Sequence, residues 1–98
     1  MLYRFKSQVA AEVVMAQVSA EELLKIIGKP AGAQGIVTAA QAPAAIAAIR
    51  AAIEQREAAE KEGGGQFNAG ISLRQRAAPF IALLEKTSAA GKDVVWGV

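Results

Sequence analysis

The chain has 98 residues, with 11 basic and 9 acidic side chains and a net charge of +2, a length that supports one small domain and leaves no material for a second core. It contains no cysteine and no histidine, which excludes disulfides, thiol nucleophiles, nearly every ordinary zinc site and the commonest general base. The charges are spread along the chain, without the block of Lys and Arg that nucleic-acid binders gather on one face, so nucleic acid ranks low as a partner.

The hydrophobic share of 53% includes 23 alanines, which favour helix but bury little area. The helices should therefore be long, and the few large apolar side chains must converge on one place. A core this small gains from association, so a homo-oligomer is expected. Arg4 and Lys6 before a partly apolar stretch, with Val18-Ser19-Ala20 after it, imitate a secretory signal. Glu12 and Gln17 interrupt that stretch, and no run approaches the ~18 apolar residues of a membrane span, so the expectation is a cytoplasmic protein without a membrane partner.

In chain order, residues 2–6 alternate, with Tyr3 and Phe5 on the face that should meet the core, and this period of two predicts a strand. Residues 12–17 carry Val13, Val14 and Met15 and predict a second strand, joined to the first as an antiparallel hairpin. Ser19 and Glu22 have capping-box spacing and predict a helix over 19–28, with Leu23, Leu24 and Ile27 on one face and Gly28 as its stop. Ile36 and Val37 lead into the longest helix, 40–62. Thr38 with Gln41 suggests one start for it, whereas Pro43 favours a start at Gln41 or Ala42. Ile46, Ile49 and Ile53 form its apolar stripe, continued by Ala42 and Ala45. Residues 54–62 hold charge all round, with Arg56–Glu60 and Glu57–Lys61 spaced for pairs within the helix, and read as a solvated end.

Residues 63–70 are a flexible Gly-rich connection with Phe67 as an anchor. They lack the Lys-Ser/Thr ending of a phosphate-binding loop. The last helix, 72–90, starts at a Ser72/Gln75 capping box, turns Leu73, Ala77, Phe80, Ile81 and Leu84 to the core, should bend at Pro79 and stops at Gly91. The closing run 93–98 is β-prone and apolar on both faces, which belongs inside a sheet or under a partner. Either Val95 or the set Val94, Trp96 and Val98 must face away from the helices.

Candidate chemistry is sparse. Ser72, Arg74 and Arg76 stand at the start of the last helix, where free N–H groups and the helix dipole favour a carboxylate or phosphate. The competing reading gives one of these arginines a glutamate partner on the long helix. Glu54, Glu57 and Glu60 could resemble a metal cluster, but without histidine they read as a solvated face. No catalytic residue, cofactor or metal is assigned.

The opening Met-Leu-Tyr-Arg-Phe-Lys-Ser, the Val-Val-Met segment, Leu-Leu-Lys-Ile-Ile-Gly-Lys, Gly-Ile-Val-Thr, Ile-Ser-Leu-Arg-Gln-Arg-Ala-Ala-Pro-Phe and Val-Val-Trp-Gly-Val together resemble a family of short proteobacterial proteins, domain-of-unknown-function family 1840. Ala78 stands where members of that family often have tryptophan. The resemblance implies a compact cytoplasmic protein and points to no particular activity.

The sequence thus reads as an α+β domain with a small, mostly antiparallel sheet of about three strands (2–6, 12–17, 93–98) and three helices (19–28, 40–62, 72–90) on one face. Its expected role is a non-catalytic binding or protein-interaction module that self-associates. The alternatives are a small-anion binder or histidine-free enzyme centred on Ser72, Arg74 and Arg76, and a nucleic-acid accessory.

Overall fold

The structure is a computed structural model that describes residues 2–29, 32, 34–62 and 72–97. The connection expected at 63–70, with Phe67, lies outside the described residues, as does Val98. Strands β1 (Leu2–Lys6), β2 (Val13–Ala16), β3 (Gly35–Val37) and β4 (Val94–Trp96) form one sheet in the order β2-β1-β4-β3, and every neighbouring pair is antiparallel. Helices α1 (Gln17–Ile26), α2 (Ala42–Glu62) and α3 (Leu73–Ala89) cover one face of it.

The sheet has four strands where about three were expected, and the addition is β3. Gly35, Ile36 and Val37 pair with Trp96, Val95 and Val94. Three residues are too few for an alternating pattern to show, so the segment read only as a lead into the long helix. Strand β1 has the expected bounds 2–6, while β2 and β4 are shorter than expected, 13–16 in place of 12–17 and 94–96 in place of 93–98.

The first helix departs most from its expectation. It starts at Gln17, and its N-cap is Ala16 in extended conformation with no side-chain cap. The Ser19/Glu22 box therefore does not form. Strand β2 runs into α1 without a connecting loop, which carries the helix start upstream of Ser19 and leaves that serine inside the first turn. The far end does follow the sequence: Gly28 takes φ 79°, and the Gly28 and Lys29 N–H groups bond the Lys25 and Leu24 carbonyls at 3.1 and 2.8 Å, a Schellman cap in which glycine meets no Cβ penalty.

Both readings of the α2 start hold at once. Thr38 and Gln41 form the reciprocal box, Gln41 N–H to Thr38 Oγ1 at 3.3 Å and Thr38 N–H to Gln41 Oε1 at 3.1 Å. The regular helix begins at Ala42, so Pro43 falls where no helical N–H is required. Helix α3 has the expected Ser72/Gln75 box and closes on Gly91 at φ 68°. Its Pro79 lies within the helix and deletes one backbone donor.

Tyr3, Phe5, Leu23, Leu24, Ile49, Ile53, Phe80, Leu84, Val94 and Trp96 are buried in a single core. The Phe5 ring is its hub, 4.7 Å from Phe80 and 5.6 Å from Trp96 between centroids. Ile46 and Ile81 are only half-buried, while Leu83 and Thr87 join the core without having been singled out. Thr87 is tolerated because its hydroxyl bonds the Leu83 and Leu84 carbonyls at 2.9 and 3.0 Å, which satisfies a buried polar group inside its own helix. Among the described residues no helix is long and apolar enough to cross a membrane.

Candidate functional site

Two regions present chemistry that the core does not use: the polar start of α3 and the sheet face turned away from the helices. At the first, the Ser72 hydroxyl accepts from Gln75 N–H at 3.2 Å, and the Gln75 side chain returns a bond to Ser72 N–H at 3.2 Å. The hydroxyl is engaged by the cap.

Arg74 and Arg76 part from there. Arg74, 60% exposed, donates Nε and Nη2 to the two carboxylate oxygens of Glu57 on α2 at 2.8 and 2.9 Å. Such a bidentate pair is geometrically specific yet weakly stabilising in water. Its hydrogen bonds and positive charge hold the Glu57 carboxyl below the usual carboxylate range against some desolvation. Arg76, 22% exposed, turns to α1 and meets Glu22 at 2.9 Å, with Ser19 Oγ at 3.5 Å. Arg56 of α2 reaches the other oxygen of Glu22.

Glu22 thus lies between two guanidiniums and joins all three helices. Burial by itself would raise its pKa; the hydrogen bond and charge of Arg56, with those of Arg76, outweigh burial and hold the carboxyl below its usual value. A carboxylate paired on both oxygens with guanidiniums from two other helices acts as a clasp between them. The Nε of Arg76 is buried with no partner among the described residues. Tyr3 lies near the same end, its hydroxyl 3.4 Å from Glu21, and burial followed by that carboxylate pushes its phenol above 10.0.

The charges of 54–62 were expected to pair within the helix, but Arg56 turns to Glu22 and Glu57 to Arg74. A signal for the first was present. Ile49, Ile53 and Arg56 follow at spacings of four and three, so Arg56 continues the core stripe, and a charge on a core stripe needs a partner. Nothing in the local pattern marks Glu22 as that partner, because α1 and α2 meet only in the folded state. Arg74 also borders an open groove of about 340 Å³ between α2 and α3, floored by Ile53, Ala78 and Ile81 and closed at its far end by the 2.6 Å pair Arg50–Glu85. Ser72 and Arg76 do not line it.

The outer sheet face follows from strand parity. In β4, Val94 and Trp96 turn to the helices and Val95 turns away. Cross-strand pairing sets Lys6, Val95 and Ile36 in one row, Arg4 beside Val14, and Leu2 beside Ala16. Leu2, Val14 and Ile36 are 57%, 43% and 41% exposed. Arg4 is held by Glu12 at 3.1 Å. Among the described residues no helix covers this face.

A sequence model for a domain of unknown function (DUF1840) matches residues 1–96. The chain belongs to that family. No curated protein and no solved structure matches this DUF1840 chain, so the reading of its sites rests on the chain's own geometry.

Proposed function

We propose that this protein is a non-catalytic interaction module that self-associates, with the sheet as its contact surface. The observation that carries the reading is the outer face: among the described residues the four-stranded sheet is covered on one side only, with Leu2, Val14 and Ile36 exposed across three of its strands. Large apolar side chains grouped on an otherwise polar surface mark association sites. The composition supports it from the other side, since a chain without cysteine and histidine has few groups able to act as nucleophile or base near neutral pH. Sedimentation equilibrium tests the reading: a dimer or higher species in the micromolar range is expected, and a monomer there overturns it.

A second reading, a small carboxylate or phosphate held beside Ser72, Arg74 and Arg76, draws support from one detail. Among the described residues, Arg76 has an unpaired Nε and Glu22 is the one carboxylate facing two guanidiniums. Thermal-shift screening against phosphorylated and carboxylated metabolites tests it: stabilisation abolished by Arg74→Ala with Arg76→Ala supports the site, and stabilisation that survives both changes refutes it.

A further inference from the structure

Among the described residues, three of the four exposed large hydrophobic side chains gather at one edge of the sheet. Leu2 and Val14 lie on the two strands nearest that edge, and Val18, 76% exposed, stands in the first turn of α1 just after β2. The side of β2 turned to the helices is also unfinished. Tyr3 and Phe5 of β1 are buried there, whereas their cross-strand partners Met15 and Val13 are only half-buried. Helices α1 and α3 reach β2 but leave these two residues only partly covered.

That strand is terminal in the sheet, so one row of its backbone N–H and C=O groups has no neighbouring strand among the described residues. Natural edge strands are ordinarily guarded by Lys, Pro or a bulge, and Val13-Val14-Met15-Ala16 has no charge and no proline. The opposite edge, β3, is only three residues long.

Resting on the self-association reading above, we propose that the edge of β2 is completed by β2 of a second copy, antiparallel about a two-fold axis through Val14. Register parity singles out this arrangement. Residues directly opposite in an antiparallel pair share a face, so a symmetric pairing that keeps both helical layers on one side must place a residue opposite itself. With Val14 on the axis, Val13 meets the partner's Met15 on the helix side, and Glu12 meets the partner's Ala16 on the outer side. All of residues 12–16 then pair. An axis at Met15 would draw Gln17 into the ladder, and Gln17 is already helical.

The half-buried Val13 and Met15 gain cover in this arrangement, and no charge faces a like charge. The product is a continuous sheet with four strands from each copy, and each Arg4 keeps its Glu12.

The absence of cysteine makes the test direct. Opposed residues of an antiparallel pair have Cα atoms ~4.5–5.5 Å apart, within the range a disulfide spans. Val14→Cys should therefore form a disulfide-linked dimer under mild oxidation, while Ile36→Cys and Val95→Cys remain mostly uncrosslinked. Val14→Arg places like charges on the axis at an exposed position, and it should shift the species to monomer by light scattering with its circular dichroism spectrum unchanged. A dimer that ignores Val14→Arg and crosslinks at Ile36→Cys or Val95→Cys overturns the edge pairing and leaves self-association standing. A monomeric wild-type chain overturns both.

Discussion

Gly35→Ala is the sharpest probe of the core, because the glycine lies opposite Trp96 in the β3–β4 ladder with the indole folded over it. A Cβ at Gly35 would overlap Cε2, Cζ2 and Cη2 of that ring. The ring cannot retreat: it is 1% exposed and set edge-on against Phe5. Gly35 is not among the positive-φ glycines, so alanine suits the backbone, and the entropy of the unfolded chain would favour it by ~0.4–1 kcal/mol. Overpacking acts the other way, typically costing ~1–3 kcal/mol. With a rigid bicyclic side chain as the obstacle we expect the upper part of that range, a net loss of ~2 kcal/mol. For a domain near this size that corresponds to a fall in Tm of roughly 8–16 °C. Urea denaturation with an unchanged slope is the assay. In a Trp96→Phe background, which removes the atoms that meet the Cβ, Gly35→Ala should cost little or stabilise. The reasoning fails if Gly35→Ala stays within about 0.5 kcal/mol of wild type, or if its cost is the same in both backgrounds.

Glu22→Gln should destabilise by ~1–2 kcal/mol at neutral pH, below the 3–5 kcal/mol of a fully buried pair because both guanidiniums stay partly hydrated. The folded Glu22 and Glu57 pKa values are depressed, so their contribution is complete above the ordinary carboxylate value near 4.5 and is lost as pH falls through the lower folded values. Denaturation midpoints followed from pH 7 to pH 3 should decline below 4.5, and Glu22→Gln should flatten that decline, leaving the part due to Glu57. The two serines with the same spacing to a capping partner should separate. Ser72→Ala removes a formed cap and should cost ~1 kcal/mol, while Ser19→Ala, which removes one long contact to Arg76, should cost a few tenths in the same denaturation series.

The sequence by itself determined most of what depends on neighbours within one or two turns. The Ser72/Gln75 and Thr38/Gln41 boxes and the glycine stops at Gly28 and Gly91 appear where local spacing put them, because each is closed by bonds within five residues, and the alternation of Tyr3 and Phe5 shows because a period of two is itself local. Ser19/Glu22 carried an equally good local signature and failed, since the direct β2–α1 junction set the helix start and the partners of Glu22 come from two other helices. Strand β3 exists because Val94 and Trp96 supply its ladder from the far end of the chain, a long-range pairing that three residues cannot announce. The same holds for the candidate surfaces. The sequence named Arg74 and Arg76 and raised Val95 as a residue that could face outward, but tertiary packing alone sent the two arginines to different helices, turned Val95 outward, and left β2 as an apolar edge. Spacing reports which face of an element a residue occupies, and assembly of the elements decides what that face meets.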